Sequence, residues 1–270
     1  MNLIYSLSGF GVGLIVGVTG VGGGSLMTPL LVFLFGFKPT VAVGTDLLYA
    51  AITKTAGVWV HHGKHRSVDW PIVAWLSLGS LPLAILTLLV IKHFMEIGKE
   101  TTGIITFSLG IALLLTATSL LIRSVLLRKS KALGQLDDDY SNMMNAGRFS
   151  PRWQIPITIL TGAVLGILVT LSSVGAGALG TVALLFLFPR ESTLKIIGTD
   201  LAHAIPLTAI AGWGHFMLGN VDLNLLGSLL VGSLPGIWIG SHLSAKIPEH
   251  YLRPVLASVL LLIGLKFVTQ

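Results

Sequence analysis

Long apolar stretches dominate the chain, and short polar or glycine-rich stretches separate them. A helix needs about 20 apolar residues to cross the bilayer hydrocarbon, and most of the stretches approach that length. Two of them, 25–37 and 176–189, would give only about 20 Å of helix. The pattern therefore predicts an all-α polytopic membrane protein of about 8–10 transmembrane helices with short, broken or re-entrant segments. The ten stretches are 3–19, 25–37, 40–60, 70–91, 103–127, 154–171, 176–189, 195–217, 223–243 and 251–268.

The composition excludes a water-soluble protein. Charged residues make up 10% of the chain and apolar residues 53%, whereas soluble domains carry about 25% charged residues. Disordered, nucleic-acid-binding and secreted classes are therefore set aside. The chain has no cysteine, which excludes disulfides and thiolate metal sites. No basic region or cleavage site precedes the first apolar stretch, so we expect a retained transmembrane helix there.

Lysine and arginine fall unevenly on the two sides of the predicted helices. Counting alternate loops gives twelve on one side and four on the other, with Lys54 inside a segment. Cytoplasmic loops carry the excess of these cations in membrane proteins. We therefore expect a multi-pass protein of the cell membrane, the inner membrane in bacteria, with both termini outside.

The two halves of the chain share a set of motifs in the same order. Thr19–Gly24 matches Ser172–Gly177 at an offset of 153, and Gly44–Asp46 matches Gly198–Asp200 at an offset of 154. Such order over a long stretch indicates an internal repeat. Further matches join Trp59 to Trp213, His61 to His215, Val68-Asp69 to Val221-Asp222, and Gly79–Pro82 to Gly232–Pro235.

The repeat predicts the organisation of the chain. We interpret residues 1–127 as a first transmembrane repeat, 128–153 as a cytoplasmic linker and 154–270 as a second repeat. Each repeat contains five segments, and this odd number places the two in opposite orientations. Inverted repeats with glycine-interrupted helices are typical of secondary transporters whose site lies near the bilayer midplane.

These motifs also carry a family resemblance. The Gly-Val-Gly-Gly-Gly run at 20–24, the Gly-Thr-Asp run at 44–46 and their second copies resemble the TauE/SafE family of membrane permeases. That resemblance implies a permease for sulfite, an organosulfonate or a related small sulfur-containing anion. The second copy departs from the first, since Ser173 replaces Gly20 and Ala176 replaces Gly23. A site built from both turns would be asymmetric.

The two glycine turns are the first candidate for substrate binding. Glycine lets backbone approach a ligand closely, and a helix that begins after the turn directs N–H groups and a positive dipole end at it. The alternative is that these small residues only allow close helix packing. The candidate residues are Thr19, Gly22, Gly23, Gly24 and Ser25 in the first turn, and Ser172, Ser173, Gly175, Ala176 and Gly177 in the second.

Two Thr-Asp pairs are the second candidate. Thr45 and Thr199 could contact substrate, whereas Asp46 and Asp200 would repel an anion. Carboxylates inside a membrane are costly and mark function. We interpret each aspartate as the cap of a broken helix, and the other hypothesis is that one carries a coupling proton.

Lys54 and His203 complete the candidate site. Lys54 follows Asp46 on the same predicted helix face and could bind the anion or balance that carboxylate. The alternative is that its long stem reaches the membrane surface. His203 lies one turn after Asp200 and could bind substrate, titrate or simply pack. We expect no metal site, and we interpret the histidine-rich run 61–66 as a cationic loop.

The sequence thus predicts a secondary transporter, and an exporter is favoured. An anion leaving an inside-negative cell moves downhill electrically, so export needs no coupling ion. The alternatives are a proton-coupled uptake permease or a channel. A less favoured one is an intramembrane enzyme using Ser172 or Ser173 with His203 and Asp200. The expected partners are the anion and the bilayer, without nucleic acid or cofactor; a coupling proton and a homo-oligomer stay open.

Overall fold

The computed structural model describes residues 3–19, 24–65, 68–97, 101–132, 151–189, 191–243 and 249–269. These residues form ten α-helices and contain no strand. The helices are α1 (Leu3–Thr19), α2 (Gly24–Phe33), α3 (Pro39–His65), α4 (Trp70–Glu96), α5 (Thr102–Ala132), α6 (Pro151–Ser172), α7 (Leu179–Leu187), α8 (Thr193–Met217), α9 (Leu223–Leu243) and α10 (Glu249–Thr269).

The outer surface of the bundle is suited to lipid. Five of the described helices, α4, α5, α6, α8 and α9, are long and apolar enough to cross a membrane. Large apolar side chains such as Leu78, Leu86 and Trp238 are more than half exposed on this surface. Apolar exposure on this scale marks a surface that contacts lipid. The chain is therefore a multi-pass membrane protein, as its composition predicts.

Two helices are too short to cross a membrane alone. Helix α2 has 10 residues and α7 has 9, and each is therefore about 15 Å long. Each returns along the helix before it. The rings of Tyr5 and Phe35 pack 5.0 Å apart, and Gln154 Nε2 donates a hydrogen bond to the Leu187 carbonyl at 2.6 Å. Both short helices thus form hairpins with their predecessors.

Helices α3 and α8 pack together at the centre and run antiparallel. Near the start of α3, Thr45 Oγ1 accepts a hydrogen bond of 3.1 Å from the backbone N–H of Asp222, which lies beyond the end of α8. Near the start of α8, Thr199 Oγ1 accepts one of 2.9 Å from Asp69, which lies beyond the end of α3. The beginning of each helix therefore lies beside the end of the other.

The fourth helix of each predicted half packs with the other half. Helix α4 packs on α6 and α8, and α9 packs on α1 and α3. The backbones touch at small residues: a Cβ on Gly162 would meet the Leu76 carbonyl, and one on Gly13 would meet that of Ser233. Close contacts at small residues are a usual source of stability between membrane helices. Two four-helix groups result, one of α1, α2, α3 and α9 and one of α4, α6, α7 and α8.

Separate apolar cores support this grouping. Val12, Met27, Tyr49 and Leu229 belong to one buried cluster in the first group. A second cluster joins Ile72, Leu76, Leu184 and Ile196 in the other group. Helices α5 and α10 pack on each other and form most of a third core. A further cluster, which includes Val43, Ala84, Val169 and Leu207, joins α3 to α4, α6 and α8, so the two groups meet along a packed apolar interface.

Several helices run beyond their apolar stretches. Helix α3 continues to His65 and α5 to Ala132, whereas the apolar pattern ends at residues 60 and 127. The prediction that 61–66 is a loop is therefore wrong for 61–65, because helical backbone needs no apolar side chains where it leaves the lipid. The centre of the predicted linker, 133–150, lies outside the described residues.

Candidate functional site

A bend between α6 and α7 forms one wall of the candidate site. It contains Ser173, Gly175 and Gly177, whose φ angles are +59°, +116° and +122°. Glycine adopts these conformations readily, whereas a serine at positive φ is uncommon. The bend is buried. The backbone between α6 and α7 therefore adopts conformations that an ordinary helix hairpin does not need.

Several polar groups of this bend form hydrogen bonds within the bend or with the last turn of α6. Ser172 Oγ donates to the Leu168 carbonyl at 2.6 Å and accepts from the Val174 N–H at 3.1 Å. The N–H groups of Leu179 and Gly180 both donate to the Gly175 carbonyl. Ser173 Oγ is buried and lies near the Asp46 carboxyl group of α3. The start of α7 therefore offers fewer free donors than an open helix end.

Lys54 reaches this bend from α3. Its ammonium donates a hydrogen bond of 2.8 Å to the Ala176 carbonyl, and the residue is only 6% exposed. The side chain therefore points into the protein and not toward the membrane surface. The contact also crosses from one four-helix group to the other. The structure thus places the ammonium against Ala176, one of the candidate residues of the second turn.

Asp46 and Asp200 occupy equivalent positions in α3 and α8. Both are fully buried. Asp46 accepts a hydrogen bond from Thr28 of α2, and Asp200 Oδ2 lies 2.8 Å from Thr181 Oγ1 of α7. Lys54 lies within electrostatic range of both carboxyl groups. The two carboxyl groups and the ammonium therefore form one buried polar cluster between α3 and α8.

The aspartates do not cap their own helices, but each carboxyl group lies beside the start of a short helix, and Asp46 also accepts a hydrogen bond from the backbone N–H of Thr28. Asp46 and Asp200 lie inside α3 and α8, several residues after each helix begins, so neither is an N-cap. Each instead contacts a threonine of the neighbouring short helix. Asp200 Oδ1 also fills the space where Gly180 would carry a Cβ. A carboxyl group against the first turn of α7 is favoured by the helix dipole, and it occupies part of the positive region that we expected an anion to use.

His203 lies one turn beyond Asp200 and is fully buried. Its Nε2 lies 2.8 Å from Ser80 Oγ of α4, and its Nδ1 has no hydrogen-bond partner in the part of the chain that the structure describes. In the intramembrane-enzyme alternative, the hydroxyl group of Ser172 or Ser173 would have to lie beside this imidazole. The serine that the structure places there is Ser80.

The structure describes the remaining candidate residues in less detail. Thr45 and Thr199 are buried, and their hydroxyl oxygens accept the backbone hydrogen bonds described above. Gly22 and Gly23 lie outside the described residues, as do the side chains of Thr19 and Ser25. Gly24 begins α2. Only the second turn can therefore be compared with the predicted anion site. No group of three histidine, aspartate or glutamate side chains in the described residues could hold a metal ion.

Comparison with known families identifies the family of this chain. The family model described as sulfite exporter TauE/SafE matches residues 5–267, which is nearly the whole chain. The chain belongs to the TauE/SafE family. Members of this family are membrane transporters, and the resemblance drawn from the two motif pairs is confirmed.

Relatives are known from bacteria and archaea. The probable membrane transporter protein YjnA of Bacillus subtilis is 38% identical over 275 residues, covering 99% of this chain and all of the relative. YdhB of the same organism, also a probable membrane transporter protein, is 26% identical, with 94% of this chain and 97% of the relative covered. One from Methanocaldococcus jannaschii is 24% identical, with 95% and 91% covered. No solved structure matches the chain.

Three polar residues of this TauE/SafE protein were missed by the sequence reasoning. Thr28, Thr181 and Ser80 are all buried and contact Asp46, Asp200 and His203, respectively. A signal was present, because Thr28 and Thr181 are separated by the repeat offset of 153. Hydroxyl groups are common in membrane helices, however, and their partners appear only when the helices are packed.

Proposed function

We propose that this protein exports a small sulfur-containing anion, such as sulfite or an organosulfonate, through a site between α3 and α8. The observation that carries the proposal is the contact of Lys54 with Ala176, which places a buried ammonium at the bend before α7. A buried cation attracts an anion strongly because little water screens it there. The family description names sulfite export and gives the substrate class.

The packing of the polar residues supports a pair of inverted repeats. Thr28 contacts Asp46 as Thr181 contacts Asp200, and the members of each pair are related by the repeat offsets. The antiparallel arrangement of α3 and α8 is the one that two inverted copies of the same helix would adopt. An inverted repeat in turn favours a carrier that opens alternately to the two sides of the membrane.

We propose that the two four-helix groups are the bodies that move. Rocking of one sequence half against the other would separate α4 from α6 and α1 from α9, where glycines bring the backbones into contact. Motion between the two groups keeps those contacts and changes the α3–α8 interface instead. The hydrogen bond from Lys54 to the Ala176 carbonyl crosses that interface. Binding of an anion at Lys54 would therefore act directly on the surface that moves.

The direction of transport is inferred from electrostatics. One negative charge that leaves a cell across 100 mV, inside negative, gains about 2.3 kcal/mol. The cation distribution further leads us to place the protein in the cytoplasmic membrane with both termini outside. Proton-coupled uptake and a channel are the alternative functions, and the buried carboxyl groups favour the former over the latter.

Sulfite flux in liposomes tests the proposed function. We expect saturable efflux of radiolabelled sulfite that speeds up when the inside is made negative, and loss of that efflux in Lys54→Met. Lys38→Met is the matched control, because Lys38 is exposed. A sulfonate should compete with sulfite. Flux that does not saturate would identify a channel, and absence of anion flux under every gradient would disprove the proposal.

A further inference from the structure

We propose that the transported anion replaces the Ala176 carbonyl at Lys54, through rotation of the peptide between Ala176 and Gly177, and that it then accepts a hydrogen bond from the Gly177 N–H. The inference rests on the proposed function and names a further binding group of the same site. It is carried by the hydrogen bonds of Lys54 and by those that hold the bend before α7.

The ammonium of Lys54 has unused hydrogen-bonding capacity. An ammonium has three donors, and the described residues offer it one acceptor within hydrogen-bond distance, the Ala176 carbonyl at 2.8 Å. Asp46 and Asp200 act on the ammonium electrostatically. Lys54 is buried, and buried donors are normally paired. An anion between α3 and the bend would supply the acceptors that the remaining donors lack.

The Ala176 carbonyl occupies the place at Lys54 where an anion would bind. An oxyanion brings a full negative charge to the ammonium in addition to its hydrogen bond, and this attraction is strong where little water screens it. The anion can therefore replace the carbonyl. A carbonyl oxygen that stayed in place would face the anion and repel it. Binding thus requires the Ala176 carbonyl to turn away from Lys54.

The peptide between Ala176 and Gly177 lies between two peptides that are held in place. The Gly175 carbonyl accepts hydrogen bonds from two N–H groups at the start of α7. The Gly177 carbonyl accepts one of 2.6 Å from Thr181 Oγ1. Among the described residues, the intervening peptide has a single hydrogen bond, the one from Lys54. Rotation can therefore be confined to this one peptide.

The backbone of Gly177 is suited to such a rotation. Its φ is +122°, a conformation that residues with a Cβ rarely adopt. Half a turn of the preceding peptide would bring φ to about −60°, which any residue adopts readily. The C=O and N–H groups of a trans peptide point in opposite directions, so the same rotation turns the Gly177 N–H toward the place of the Ala176 carbonyl. That N–H is buried and donates no hydrogen bond to the described residues, although such groups are usually paired.

The rotation converts an acceptor beside Lys54 into a donor. An oxyanion such as sulfite or a sulfonate has several oxygens, so one can accept from Lys54 while another accepts from Gly177. When the anion leaves, the carbonyl returns to the ammonium and restores the contact between the two four-helix groups. The orientation of one peptide therefore depends on whether the site is occupied.

The first experiment observes this contact in the unaltered protein. Solid-state NMR in liposomes would measure the dipolar coupling between nitrogen-15 at lysine Nζ and carbon-13 at alanine carbonyls. We expect a coupling between Lys54 and Ala176 without sulfite, and its loss at saturating sulfite. Lys54→Met is the control and should lack the coupling, which assigns the signal. A coupling that persists while calorimetry shows sulfite bound would overturn the inference and leave the proposed function intact. Absence of sulfite binding would refute the proposed function, and the inference with it.

The second experiment changes the rotating peptide. Gly177→Ala disfavours the positive φ and so favours the rotated peptide. We expect it to bind sulfite about tenfold more tightly than the wild type, to lack the coupling without sulfite, and to transport sulfite more slowly, because the carbonyl no longer returns to replace the anion.

Gly175→Ala is the matched control for this variant. Its φ is also positive, at +116°, but the peptide before Gly175 is not the one that rotates, so its affinity for sulfite should not rise. Unchanged or weaker binding of sulfite by Gly177→Ala, with the coupling retained, would overturn the inference. The first experiment decides the question if Gly177→Ala does not fold.

Discussion

Replacing Lys54 by methionine tests the balance of charge in the buried cluster. Methionine keeps most of the length of the side chain but removes the ammonium that contacts Ala176. Asp46 and Asp200, which are both fully buried, then lose the ammonium that lies within electrostatic range of them. Breaking a buried ion pair by removal of one partner costs about 3–5 kcal/mol. Because proteins of this size lose about 2–4 °C per kcal/mol, we expect the unfolding midpoint to fall by roughly 10 °C.

A double-mutant cycle provides the decisive comparison. Thermal unfolding of the detergent-solubilised protein would be measured for Lys54→Met, Asp46→Asn and the double variant. The double variant removes both charges, so it should recover most of the lost stability, and the coupling free energy should be of the order of 2 kcal/mol or more. Lys54→Met combined with Asp200→Asn should also recover part of the lost stability, because Lys54 lies within electrostatic range of both carboxyl groups. Equal midpoints for Lys54→Met and the wild type would refute the reasoning.

Three further predictions concern packing and motion. Ser80→Ala should lower the free energy of unfolding by about 1–3 kcal/mol, since it leaves a buried imidazole nitrogen without a partner; chemical denaturation measures this. Gly162→Ala should lower the unfolding midpoint because its Cβ would meet a carbonyl of α4, whereas Gly103→Ala, which faces open space, should not. Because the chain has no native cysteine, introduced pairs can be tested cleanly: a disulfide between α3 and α8 should block sulfite flux, and one between α4 and α6 should not.

The sequence allowed the family and the central residues to be predicted because the two motif copies are long and ordered. The Thr-Asp pairs recur with their neighbours, so chance matching is improbable, and a carboxylate in an apolar helix is rare enough to indicate function. The structure brings Asp46, Asp200, Lys54 and His203 to one interface between α3 and α8. Hydropathy alone also identified the short segments, because length and apolar character are local properties of the chain.

The partners of these residues could not be predicted in the same way. Which helix lies beside α4 depends on shape complementarity at small residues such as Gly162 and Gly166, and a sequence offers many such residues. The partners of Asp46 and Asp200 depend on the angle at which a short helix returns beside a long one. Neither property leaves a periodic pattern in the sequence. The packing of α4 on the second half and of α9 on the first half could therefore be seen only in the structure.

The two halves share a scaffold but differ in chemistry at the centre. Lys54 corresponds to Thr208, and His203 corresponds to Tyr49, by the repeat offset of 154. Thr208 donates to a carbonyl of its own helix, so it adds no charge to the interface. Two aspartates are therefore kept in symmetric places while a single cation serves both. The asymmetry of the repeat therefore places the ammonium of this centre on α3, beside the bend before α7.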